Sequence, residues 1–230
     1  MSVIEKIIPQ TGRDLNARNR RKLKKFLALS YRSVYNAPME QDSTKQTILQ
    51  TAERLFAYKG YDAVGVQEIV TDAGITKPTL YYYFRSKRGL LEALVSTKGQ
   101  KLTDTIAQAA TYNGDFFNSL SCTLKAFIQF ALENPDFFRL HCTLLKAPKE
   151  SEPFCIYKPV QEQLSKIILN LFIEATTIFG NMKGKEELYS TLFHNNATSI
   201  AMSSVANGTA EPDDKTIYII THSFIYGFAD

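Results

Sequence analysis

The chain has little that would tie it to redox, metal, membrane or catalytic chemistry. Its three cysteines, Cys122, Cys142 and Cys155, form no CxxC pair, and an odd number of scattered thiols fits reduced, buried side chains better than a disulfide framework or a metal or redox site. No stretch approaches the roughly 18 apolar residues of a membrane span. The most apolar segments, 167–173 and 217–228, are short or interrupted by Asn170 and His222. The amino terminus lacks the charge, apolar run and small-residue cleavage site of a signal peptide, so a cytoplasmic protein that does not enter a membrane is expected. A Walker lysine loop, a GxSxG elbow, an HExxH pair and a dinucleotide glycine fingerprint are all missing, so the chain is read as no enzyme, with no cofactor and no metal expected. Strand signals are missing as well, and the expected fold class is all-α.

Net positive charge is also missing beyond the start of the chain. The protein as a whole is +4, but residues 1–42 carry nine basic and four acidic side chains, a net +5, which leaves −1 for everything after them. Residues 15–35 have a helical spacing, with Leu23, Phe26, Leu27 and Ser30 near one face and Pro38 beyond. A mobile basic tail, an arm lying on DNA backbone or in a minor groove, and a surface-membrane helix all remain open for this extension. Met39, just before the next pattern begins, is a second candidate start of the native chain.

What is present is a dense block from Thr44 to Phe84. Ile48, Ala52, Leu55 and Phe56 share one face of a helix that Gly60 ends. Val66, Ile69, Val70 and Ala73 share a face of a second helix closed by Gly74, since glycine takes the left-handed conformation cheaply. Two residues later Thr76 is expected to cap a third helix with Pro78 in its first turn, where a missing N–H costs little. Helix, glycine turn, helix is the helix-turn-helix pattern.

On that third helix Leu80 and Phe84 point to the core while Pro78, Thr79 and Tyr82 point away, flanked by Tyr81 and Tyr83. Three consecutive tyrosines cannot all be buried in so small a unit, and each hydroxyl needs a partner that a phosphate or base edge can supply. Lys77 and Lys87 add positive charge, which attracts the backbone while outer side chains read bases. Ala52 to Phe56, Gly60, Ile69, the Ala73-Gly74 pair, and Thr79-Leu80-Tyr81 through Phe84 to Lys87 resemble the amino-terminal domain of the tetracycline-repressor (TetR) family of bacterial transcription regulators. Two positions depart from its pattern: Gly65 stands where a capping Ser or Thr is usual, and Gly89 where an acid would complete a capping box on Ser86.

The resemblance implies double-stranded DNA as partner, with Thr44, Gln67, Thr76, Lys77, Pro78, Thr79, Tyr81, Tyr82, Tyr83 and Lys87 at the interface. It also implies a helical body that binds a small-molecule effector and forms a homodimer through its last two helices. The expected organisation is a basic extension (1–42), a DNA-binding head (43–88) and a ligand-binding and dimerisation body (89–230), with about nine helices after the extension.

In the body, Ser86 is expected to cap a long linking helix, residues 147–159 to form a loop carrying three prolines, and a helix to run over 160–179. A helix over 185–205 carries Ala197, Ser199, Ala201, Ser203, Ser204 and Ala206, which suit close packing within the chain as well as between two copies. Candidate ligand-binding residues are Phe127, Phe130, Phe137, His141, Phe172 and His194, a set that equally describes a plain core. The function expected is a ligand-released repressor on a palindromic operator. A same-fold nucleoid or cell-division DNA-binding factor without an inducer, and a partner-only interaction module, are the competing classes.

Overall fold

A computed structural model describes residues 43–208 and 212–226. The chain divides into two units, one ending at Thr47 and one beginning at Ile48, and the second carries the apolar core. The basic extension, the helix expected within 15–35 and the last four residues lie outside the described residues.

The described residues are helical, with no strand among them. The first helix, α1, covers 43–59 and stops at Gly60, whose φ of +83° only glycine adopts freely. Next come α2 (Val66–Asp72) and α3 (Lys77–Phe84). Gly74, at φ +65°, makes the turn between them. Gly65 enters α2 from an extended backbone with no side chain to cap it. Thr76 occupies the capping position of α3 but does not cap: its hydroxyl pairs with that of Thr79 at 2.9 Å. A one-turn partner competes successfully with the backbone because Thr side chains bond locally in several geometries.

Ser86 caps the next helix as expected, accepting from the Gly89 N–H at 3.0 Å. Between α3 and this cap Arg85 is held at φ +63°, and the chain doubles back so closely that a Cβ on Gly89 would lie 2.0 Å from the Phe84 carbonyl oxygen. Gly89 is therefore a steric requirement of this turn rather than a lost capping acid.

The linking helix is α4 (Lys87–Leu94) and α5 (Gln100–Ala109), joined without a break through a π-turn, Val95–Gly99. Counted as one, they bring the described residues to nine helices. Asp115 caps α6 (Phe116–Glu133) through the Asn118 N–H, and α7 (Pro135–Leu145) follows.

Helix α8 (Glu152–Ala175) corrects the sequence reading, which placed a loop over 147–159. Ser151 caps it, and Pro153 stands in its first turn, where the N–H would be free anyway. Pro159 is inside the helix but faces solvent, so water can satisfy the carbonyl it leaves unpaired. The π-turn brings Gly99 against this helix, where a Cβ would sit 2.9 Å from Val160 Cγ2. At its other end α8 stops at Ala175, short of the expected 179, and a 3-10 turn, Gly180–Met182, follows. Helix α9 (Glu186–Asn207) and α10 (Asp214–Tyr226) complete the body, the latter capped by Asp213, whose carboxylate accepts from the Thr216 N–H at 2.8 Å.

One continuous apolar core runs from Ile48 and Phe56 to Phe193 and Ile217. In the body it centres on Phe127, Phe130, Phe137, Phe138, Tyr157 and Phe172, all fully buried. Ala197 and Ala201 are buried on α9, and their small side chains let α9 lie close along α6.

Candidate functional site

The face of α3 opposite Leu80 and Phe84 is an exposed row. Lys77, Pro78, Tyr81 and Tyr82 are open to solvent, Tyr82 at 72%. Tyr83 is half-buried and meets Tyr82 edge-on, ring centroids 5.1 Å apart, which fixes the direction in which the more exposed ring points. Thr79 is half-buried, its hydroxyl engaged by Thr76. On α2, Gln67 is exposed and donates to the Thr71 hydroxyl at 3.3 Å. Thr44 belongs to the first unit and is described only as a half-buried residue of α1. Ion pairs Arg54–Asp72 and Lys59–Glu68 tie α1 to α2 and neutralise two acids of this head.

Lys87 has a structural duty that the sequence reading did not foresee. Its ammonium donates to the carbonyls of Tyr61 and Val64, at 3.0 and 3.1 Å, and lies 4.1 Å from the centre of the Tyr61 ring. It thereby clamps the loop between α1 and α2 onto the start of α4, with two of its three protons committed inside the protein.

The body holds a cavity of about 900 Å³ among α7, α8 and α9. Leu145, Leu169 and Met202 give it an apolar wall, Lys146 and Lys166 a cationic one, and His194 and Thr198 a polar floor. The small residues Ser199, Ser203 and Ala206 of α9 also face it, so part of the expected small-residue stripe makes space rather than contact. His194 Nε2 and Thr198 Oγ1 are buried and have no hydrogen-bond partner. Burial holds His194 down to about 4 and therefore neutral. A neutral imidazole and a hydroxyl can each donate or accept, so the floor matches either kind of polar group.

Of the six residues expected to bind a ligand, only His194 lines this cavity. Phe127, Phe130, Phe137 and Phe172 are packed in the core, where helical periodicity alone cannot separate a pocket wall from an interior. His141 is also fully buried, its Nδ1 sharing a hydrogen bond with the Tyr157 hydroxyl and its Nε2 unpartnered. Burial, and secondarily His194, lowers it to about 3, while burial raises Tyr157. The thiols differ from the expectation of burial: Cys122 and Cys155 are exposed and only Cys142 is half-buried, its thiol pushed up to about 11 by desolvation and so not a thiolate.

A second groove, of about 810 Å³, lies between the end of α1 with its following loop and the end of α7. Sequence reasoning passed over its residues, although Arg139, Cys142, Thr143 and Lys146 recur at steps of three, one and three along α7 and so share a face.

Comparison with known proteins identifies the architecture. Residues 48–94 carry the signature of the bacterial regulatory proteins of the tetR family. The chain is 30% identical over 134 residues to IcaR, the HTH-type negative transcriptional regulator of the biofilm operon icaADBC of Staphylococcus aureus, covering 57% of this chain and 70% of that protein. The chain belongs to the TetR family. It is also 30% identical over 102 residues to the HTH-type transcriptional activator FasR of Mycolicibacterium smegmatis, 44% of this chain and about half (47%) of FasR. The fold matches a TetR-like regulator from Rhodococcus sp. RHA1 with a TM-score of 0.62 at 20% identity, over 80% of this chain and 93% of that one. It likewise matches FadR of Bacillus subtilis, solved in complex with stearoyl-CoA, with a TM-score of 0.63 at 15% identity, over 80% of this chain and 99% of that one.

In this TetR-family chain the head is tied to the body by polar contacts at three places. Glu53 of α1, nearly fully buried, accepts from the Lys98 ammonium at 2.5 and 2.7 Å, Lys98 lying in the π-turn. Desolvation outweighs that partner and raises the carboxyl above its usual range. The Tyr61 hydroxyl donates to Glu152 at the start of α8, at 2.5 Å. The Arg139 guanidinium lies over the Tyr58 ring at 5.3 Å.

Proposed function

We propose that the protein is a DNA-binding transcription repressor that acts as a homodimer on a palindromic operator and is released by a small molecule. The observation that carries the reading is the exposed Lys77, Pro78, Tyr81 and Tyr82 face on a short helix whose opposite face is fully buried. A helix so mounted presents side chains to a major groove without unfolding anything. Lys77 supplies charge for a phosphate, and the tyrosine rings supply both an apolar surface and a hydroxyl for base edges. Dimer formation is supported by Leu188 and Leu192 on α9 and Tyr218, Ile219 and Tyr226 on α10, large apolar side chains left open to solvent. The cavity among α7, α8 and α9 favours an effector-controlled regulator over a nucleoid factor without one. The role is regulatory rather than catalytic, and cytoplasmic.

The test is selection of bound sequences from a random duplex pool, followed by anisotropy titration of the enriched duplex. Enrichment of a palindrome bound by two chains, with affinity falling steeply as salt rises, is the expected result. Recovery of no common sequence would overturn the reading.

A further inference from the structure

The cavity and the groove are neighbours, because Cys142, Lys146 and Met202 line both. Together they form one path from the polar floor at His194 and Thr198 to the loop after α1. Lys59, Asp62, Arg139 and Lys146 line its groove end, and Lys166 and Glu187 its cavity end. At the groove end Arg139 is half-buried, its Nε is unpartnered, and no carboxylate among the described residues pairs with it; the contact it does make is the stacking on Tyr58. Lys146 stands two turns further along the same face, just past the end of α7. At the cavity end Leu145, Leu169 and Met202 form an apolar wall beside Lys166 and Glu187, with the unpartnered His194 and Thr198 beneath them. A half-buried guanidinium without a counter-ion calls for an anion, which it can hold through a fork of parallel N–H donors.

We propose that this path binds one elongated amphipathic anion, its acidic group held by Arg139 and Lys146 in the groove and its apolar part along Leu145, Leu169 and Met202 in the cavity. The inference rests on the effector reading above and gives that effector a chemical class and a pose. It also gives a direct route to the DNA face. The groove's other wall is the end of α1 and the loop to Ala63, and the Tyr61 and Val64 carbonyls of that loop are gripped by Lys87. An acidic group drawn onto Arg139 competes with the Tyr58 stacking, so the ligand acts on the head itself as well as through the linking helix.

The experiment is calorimetric titration of the full chain with dodecanoate, dodecyl phosphate and methyl dodecanoate. The first two distinguish a carboxylate from a phosphate, and the ester is a neutral control with the same acyl chain. At least one acid is expected to bind ten-fold or more tightly than the ester. Arg139→Gln should abolish that preference while leaving the ester's affinity unchanged, and Lys146→Gln should reduce it. Lys146 makes no ion pair among the described residues, so its variant keeps the test usable if the Arg139 variant melts early. Equal binding of acid and ester, or an Arg139 variant that keeps the full preference, would overturn the proposal. The enriched duplex separates the two readings. If a neutral compound releases it while neither acid binds, the regulator stands and this pose fails. If the acids bind with the stated preference but leave duplex affinity unchanged, the site stands and the effector reading fails.

Discussion

Helix α3 and the cavity among α7, α8 and α9 both set polar groups beside aromatic or apolar ones, and they treat those groups in opposite ways. On α3 the tyrosines turn outward, and the buried face, Leu80 and Phe84, is purely apolar. Among the described residues, the buried polar atoms without a partner belong to Tyr112, Arg139, His141, His194 and Thr198, all in the body. A buried donor or acceptor left unmade costs about 1–3 kcal/mol, so the body carries a standing cost that the head does not. A ligand that satisfies those atoms is bound partly by relieving it. On the function proposed above, the head meets DNA through groups that water already satisfies, so its selectivity comes from shape and from which base edges the exposed side chains can reach.

The comparison breaks most visibly in the apolar core. Phe172→Ala, at a fully buried site where Phe116, Phe193 and Phe224 converge on the ring, should cost about 3–5 kcal/mol in urea unfolding. Were the loss below about 1 kcal/mol, the body would be loosely packed and its unpartnered atoms would be wet. Next in size is Lys98→Met, which leaves the Glu53 carboxylate buried without its partner. Removing one member of a buried pair typically costs about 3–5 kcal/mol. The lower end is expected here, because the raised Glu53 can protonate instead.

The two buried histidines make the body sensitive to acid. His141 and His194 are lowered to about 3 and about 4 from 6.5. Above pH 6.5 both are neutral folded or unfolded, and stability is unaffected. As pH falls from 6.5 toward 4 the unfolded chain gains protons that the folded one refuses. Each histidine therefore removes up to about 1.4 kcal/mol per pH unit, or about 2 kcal/mol at pH 5. His141→Phe should flatten that slope in pH-dependent denaturation, and an unchanged slope would show that the imidazole is solvated. Smaller again is Lys87→Met. It should cost about 1–3 kcal/mol through the two carbonyls it abandons, and loosen DNA binding for all sequences. A variant of unchanged stability whose salt dependence flattens by about one unit would instead make Lys87 a simple phosphate contact.

How much of the molecule is legible from its residues alone follows the same division. The head can be read closely because its glycines and apolar positions answer to local rules: Gly60 and Gly74 sit where a left-handed residue is needed, and Leu80 and Phe84 are four apart on one face. Even there Lys87 and Gly89 escape, since the first is fixed by carbonyls 23 and 26 residues away and the second by a turn that Arg85 makes against its own preference. In the body, periodicity locates the helices but cannot tell which aromatic side of α6 or α7 meets the interior and which meets a cavity. Arg139 and Lys146 pass unnoticed because a basic residue on a helix is ordinarily solvated. Only the folded chain sets Arg139 beside Tyr58 with no acid to pair it among the described residues. The start of α8 is misread when prolines are counted as breakers. Pro153 falls in the first turn and Pro159 on the wet side, where the rule relaxes.

The smallest expected effect on stability, and the sharpest on function, is Tyr82→Ala. Its ring is 72% exposed and its one aromatic neighbour is the edge of Tyr83, so little apolar area leaves the core and the change should stay within about 0.5 kcal/mol. If Tyr82 reads bases, the variant should bind random duplex as before and lose affinity for the enriched palindrome by about 1–3 kcal/mol per half-site, roughly 5- to 150-fold. Tyr81→Phe is the finer companion, removing a hydroxyl and nothing else from the flank of the same face. Anisotropy titrations of both duplexes at two salt concentrations decide the matter. An equal loss on specific and random DNA would make Tyr82 a backbone contact, and would shift base reading to Lys77 and Pro78, the other exposed positions at the start of the face, with the half-buried Thr79 beside them.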